Sequence, residues 1–124
     1  MRLIFSILSI AYIAGIFLLA GSSVVSDLSP FNPYSLLHIP LYGILTILLI
    51  LSLVPMTQLP NYLITRFLVV GFIALIVAIA DEMHQAYVPG RETSVTDVLL
   101  DFVGIILVLF FAFRLFKPKT SITQ

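Results

Sequence analysis

Cysteine is absent from this 124-residue chain, and charge is nearly so: six basic and six acidic residues make up 10% of it. Without a thiol there is no disulfide, no thiolate nucleophile and no zinc-ribbon chemistry, and nothing from which to read a redox compartment. The formal net charge is zero, so nucleic acid is not expected as a partner. No internal repeat or low-complexity tract occurs. Neither does a Ser-His-Asp order, a phosphate-cradling glycine loop or a His-Glu-x-x-His pattern. What is abundant is hydrocarbon. The chain is 60% hydrophobic with a mean hydropathy of +1.18, whereas a soluble domain carries about a quarter charged residues. This is the composition of a membrane protein, and the length suits one domain.

Hydrocarbon about 30 Å thick requires roughly 20 apolar helical residues. Leu3 to Gly21 meets that without a charge, and Leu36 to Val54 follows, closed by Pro55. The third run, from about Tyr62, passes Ala80 and continues as a helix to about residue 86; the fourth is Val98 to Phe116, opened from about Asp97. None alternates with a period of two, so helices rather than barrel strands are expected. The first run follows Arg2 and ends in small residues, as a secretory signal does. Its apolar stretch is longer than a signal core, so it is expected to remain as a span. The expected fold is therefore an all-α membrane protein, a four-transmembrane-helix bundle with helices at about 3–21, 36–54, 62–86 and 97–116.

The few charges are sorted. Arg2, Arg66, Arg114, Lys117 and Lys119 fall at one end of such a bundle. Asp27, Asp81, Glu82, Glu92, Asp97 and Asp101 fall at the other, with Arg91 the lone base among them. The positive-inside rule then predicts that both termini of a multi-pass protein are cytoplasmic, with the acidic end outward.

The acidic end also has depth. From Arg66 to Asp81 is 15 residues and from Arg114 back to Asp101 is 13, about 22 and 20 Å of helix. From Pro55 back to Tyr42 and His38 is 13 and 17 residues, about 20 and 25 Å. Three helices thus carry polar side chains to one level. Ala74, Ala78, Asp81, Glu82 and Gln85 share about a third of the third helix's circumference, and their small members let a neighbour approach. Asp97, Asp101 and Gly104 share a face of the fourth helix. His38 and Tyr42 lie one turn apart on the second, and His84 sits at the edge of its stripe. An acidic residue facing lipid costs roughly 2.5–3.5 kcal/mol at mid-bilayer, so these groups are expected to face inward. "VPGR", residues 88–91, reads as a tight turn that brings Arg91 back over the acids. Ser94 to Asp97 has the form of a capping box, and Tyr12, Tyr34, Tyr62 and Tyr87 are expected in an interfacial belt.

The stretch "DEMHQAYVPGRETSVTDVLLDFVG" with the upstream "LLHIPLYGIL" resembles the VanZ-like family of small bacterial membrane proteins, over about residues 35 to 110. The family pattern is an acidic-x-His-Gln group, a Val-Pro-Gly-Arg turn, and Asp-Val-Leu-Leu-Asn with a glycine shortly after. An earlier helix of that pattern carries His with Tyr four residues on. The positions that match are His38, Tyr42, Glu82, His84, Gln85, Pro89, Gly90, Arg91, Asp97 and Gly104. Two depart: Ser35 stands where members often have Lys, and Asp101 where Asn is usual, and both changes make the site more acidic. The resemblance implies the fold. It also implies a link to low-level resistance to the glycopeptide teicoplanin, without fixing a biochemical activity.

His38, Tyr42, Asp81, Glu82, His84, Gln85, Arg91, Asp97 and Asp101 are therefore the candidate ligand-binding residues. Three roles remain open for them: a structural hydrogen-bond network, a pocket for a polar headgroup, and general acid/base chemistry between a carboxyl and an imidazole. Arg91 has the planar fork that suits phosphate or carboxylate. No cofactor is expected, and no metal, because the spacing sets no ligand geometry. Membrane lipids are the expected partners. An accessory role in a larger membrane protein complex is the alternative.

Overall fold

A computed structural model describes residues 1–20, 36–55, 60–89 and 94–117. The described residues form four α-helices and no strand: α1 (Arg2–Ala20), α2 (His38–Leu53), α3 (Pro60–Gln85) and α4 (Val95–Phe116). α1, α3 and α4 are long and apolar enough to cross a membrane. α2 is apolar but has only 16 residues, about 24 Å of helix, and Leu36 and Leu37 enter it through a 3₁₀ turn.

Prolines set the boundaries. Pro60 opens α3, where its missing N–H is one that no helix would use. Pro40 is likewise accommodated in the first turn of α2. Val54 precedes Pro55, and a residue before proline is pushed out of the helical region. Val54 accordingly turns extended, at φ −100° and ψ 109°, with its N–H still bonded to Ile50 O. Lys117 precedes Pro118 and ends α4 in the same way, at φ −62° and ψ 124°.

α2 packs against each of the other three helices, and most extensively against α4. The core is built from Tyr42, Leu45, Leu49 and Ile50 of α2, Phe67, Val70, Ala74 and Ala78 of α3, and Ile105 of α4. On α3 the inward row runs Leu63, Phe67, Val70, Ala74, Ala78, Asp81 and Gln85, all buried. These recur every three or four residues, as one helix face must. The expected stripe is therefore the one that faces inward. Outside, Leu18, Phe72, Phe111 and many other large apolar side chains are exposed. Apolar surface on that scale fits lipid as its solvent.

Tyr12 departs from the interfacial belt. It lies ten residues along α1, and its hydroxyl donates to Leu41 O of α2 at 2.7 Å. A phenol carried that deep needs an acceptor, and a helical carbonyl has a second lone pair to offer. Tyr62 and Tyr87 are exposed near the two ends of α3, and Tyr34 lies outside the described residues.

Candidate functional site

The polar cluster is assembled at the end of the bundle where α2 begins, α3 ends and α4 begins. Its first requirement is a close approach of α2 and α4. Gly104 of α4 lies against the backbone of Ile39 with no room for a side chain. That contact brings His38, the residue before Ile39, onto the next two turns of α4. Its Nδ1 lies 2.7 Å from Asp101 Oδ1, and its Nε2 lies 3.8 Å from Asp97 Oδ2. Asp97 and Asp101 are one helical turn apart, so the two carboxylates address the two nitrogens of one ring. With Asp101 ionised, its oxygens offer only lone pairs and Nδ1 is the donor of the shorter contact. The longer one exceeds hydrogen-bond reach and acts through charge. His38 is 4% exposed and Asp101 1%; Asp97, at the rim, is half-buried.

One turn deeper, the Tyr42 hydroxyl donates to Asp81 Oδ2 at 3.3 Å. Gln85, one turn along α3 from Asp81, donates through Nε2 to the same oxygen at 3.0 Å. Asp81 therefore accepts from two helices, which offsets part of the cost of burying an acid. Tyr42 is fully buried, and Thr46 Oγ1 donates to its carbonyl at 2.7 Å. This i−4 bond satisfies a hydroxyl that has no water to turn to.

Glu82 takes a different part. Its Oε1 accepts the backbone N–H of Ser94 at 2.5 Å. The end of α3 is thereby tied to the start of α4. An acidic group at a helix N-terminus also complements the helix dipole. The capping box read from Ser94 to Asp97 does not form. Ser94 is the N-cap, in extended conformation, with no side-chain cap bond. Glu82 reaches its N–H from the neighbouring helix, while Asp97 is turned toward His38.

His84 stands apart. It is exposed and meets Phe17 of α1 edge to face, with ring centroids 5.5 Å apart. Of the nine candidates, seven (His38, Tyr42, Asp81, Glu82, Gln85, Asp97 and Asp101) come together. His84 does not, and Arg91 lies outside the described residues, as do Gly90 and Glu92. Sequence reasoning missed the backbone N–H of Ser94, because a main-chain donor leaves no trace in residue type. Among the described residues no three side chains are arranged to hold a metal ion.

The other end is basic. Arg2 Nε donates to Ser52 O at 3.3 Å, and Arg66 Nη1 lies 3.5 Å from Leu53 O. Both guanidinium groups complement the carbonyl end of α2. Ser6 and Ser52 share a hydroxyl hydrogen bond of 2.7 Å nearby. All four described acids lie at one end of the bundle, and Arg2, Arg66, Arg114 and Lys117 at the other.

Chemically, the polar end presents hydrogen-bond acceptors over donors: four carboxyls, one imidazole, one phenol and one amide. It can hold a proton between His38 and Asp101, and it meets its surroundings first through Asp97. The family model VanZ-LLP1, described as VanZ/LLP1, matches residues 3–117. No curated protein and no solved structure matches the chain.

Proposed function

The chain belongs to the VanZ/LLP1 family, and from that premise we propose that it is an integral protein of the bacterial cell envelope whose polar end receives a lipid-linked or surface ligand. Its orientation in this reading follows the positive-inside rule, with both termini cytoplasmic, the four helices crossing the inner membrane and the acidic end in the outer leaflet. The observation that carries the reading is the His38 ring set between Asp101 and Asp97. A bundle held by apolar packing alone has no need of such a group, and ionisable residues at membrane depth are functional-site candidates by default. Asp97, at the rim, and Arg91, in the adjoining loop of the sequence, would meet the ligand. The guanidinium fork of Arg91 would take an anionic group, with His38, Asp81, Glu82 and Asp101 shaping the wall behind. By changing what is accessible at the cell surface, the protein would alter susceptibility to glycopeptides such as teicoplanin. Expression of the wild type and of Arg91→Ala in a sensitive host, with surface binding of a labelled glycopeptide as readout, tests this. The wild type should lower or raise binding relative to empty vector and the variant should not; equal binding in all three counts against the role.

One observation favours a second reading, in which the protein is an accessory subunit of a larger membrane complex. The cluster's groups bond to one another, Tyr42 and Gln85 to Asp81 and His38 to Asp101. A network of that kind also serves a purely structural purpose. The accessory reading expects a stoichiometric partner to co-purify in mild detergent, and a monodisperse chain without one would count against it.

A further inference from the structure

The basic end carries a feature that the polar end does not explain. Between α3 and α4 runs a groove of about 340 Å³, walled by Ile64, Phe67 and Leu68 on one side and Ile106, Phe110 and Phe113 on the other. Toward the middle of the bundle the Leu109 side chain fills the notch left by Gly71. Gly71 meets Leu109 there so tightly that an added methyl would lie 2.9 Å from its Cδ1. Toward the basic end, Ile106, Phe110 and Phe113 continue by helical spacing into Arg114 and Lys117. The Arg114 guanidinium stands 5.0 Å over the centre of the Phe110 ring, so a side chain with many rotamers is held at the groove's edge. Its N–H donors lie in the guanidinium plane and remain suited to phosphate oxygens. Among the described residues neither Arg114 nor Lys117 pairs with a carboxylate. Every described acid is at the far end of the bundle.

An apolar groove bordered at its basic end by two cations is complementary to a negatively charged amphiphile. We propose that this groove seats an acyl chain of an anionic phospholipid, with the lipid phosphate held by Arg114 and Lys117. The charge selects the lipid: a zwitterionic headgroup would bring its own cation to a rim that already has two. A second copy of this chain is disfavoured as the occupant, because its surface at this depth is equally basic. The proposal goes beyond the reading of the polar end and does not depend on any ligand there.

The test is native mass spectrometry of the full chain released from nanodiscs of equal phosphatidylglycerol and phosphatidylcholine. The wild type should retain one phosphatidylglycerol per chain in preference to phosphatidylcholine. Each basic residue near a membrane surface changes anionic-lipid binding by about fivefold, so Arg114→Gln should lower that preference by about this factor. Lys117→Gln should do the same, and Arg114→Lys should keep most of it. Leu68→Trp, which fills the groove without touching charge, should reduce retention of both lipids. Asp101→Asn, at the other end, should retain lipid as the wild type does, so failure here is separable from failure of the polar-site reading. Equal retention of the two lipids by the wild type would overturn the proposal. So would an unchanged preference in both glutamine variants, or a dimer that Leu68→Trp dissociates and lipid does not affect.

Discussion

Gly104 of α4 and Ile39 of α2 touch backbone to backbone, and a β-carbon on Gly104 would overlap the Ile39 carbonyl and lie 3.2 Å from its Cα. Neither atom belongs to a flexible side chain that could move aside. Gly104→Ala should therefore force α4 away from α2 and destabilise the bundle by about 1–3 kcal/mol, as overpacking does. Gly43→Ala meets Val108 Cγ2 at 3.5 Å and Gly104 O at 3.9 Å, both ordinary contacts, and Gly15→Ala meets nothing within 4 Å. Both should be neutral, or stabilising by up to about 1 kcal/mol through helix propensity. Thermal unfolding of the purified variants in one detergent compares all three.

The same contact carries the His38–Asp101 bond, and two substitutions separate its charge from its hydrogen bond. Asp101→Asn keeps an Oδ1 acceptor for His38 Nδ1 and removes a negative charge from a cluster with four acids. It should cost less than about 1 kcal/mol. Asp101→Ala removes both the charge and the buried hydrogen bond and should cost more, about 1–3 kcal/mol. Equilibrium unfolding in mixed micelles measures both, and equal losses would mean that the charge, not the bond, carries the interaction.

Glu82 holds the start of α4 through a main-chain donor, so the side chain of the N-cap residue is dispensable. Ser94→Ala should change stability by less than about 0.5 kcal/mol, where loss of a capping side chain costs typically about 1. Glu82→Ala should cost more, about 1 kcal/mol, because it leaves a partly buried N–H without its acceptor. Hydrogen exchange at the Ser94 amide, slow in the wild type and fast in Glu82→Ala, reports the bond itself.

Topology has a direct readout. With the acidic end outward, Ser94→Cys in intact cells should react with a membrane-impermeant maleimide, and Thr120→Cys should react only after lysis. The chain has no native cysteine, so no background has to be removed. The opposite pattern would place the basic end outside, against the positive-inside rule.

Much of this architecture was legible beforehand. Apolar runs located four helices to within a few residues, and Pro55 marked the end of α2, because lipid thickness and a missing N–H act on the chain locally. α2 was expected at 36–54 and is His38–Leu53, its first two residues taking up a 3₁₀ turn that no residue type announces. Periodicity also placed Ala74, Ala78, Asp81, Glu82 and Gln85 on the buried face of α3, since side-chain direction along a helix is a property of its 3.6-residue repeat. The sorting of acids from bases needed only the alternation of helix direction.

What sequence alone determined, then, is the inward face of α3 and the end of the bundle at which each described charge lies. Tertiary structure decided the partners. Asp97 was expected to serve Ser94 and instead faces His38; Glu82 serves Ser94 from another helix; Tyr12 bonds α2 rather than sitting in the belt; His84 turns to Phe17. The physical reason is that a partner depends on how far two helices slide and rotate past one another. Here that register is set by contacts such as Gly104 on Ile39, between residues 65 positions apart. Local periodicity fixes angle around an axis, and only packing fixes the distance between axes.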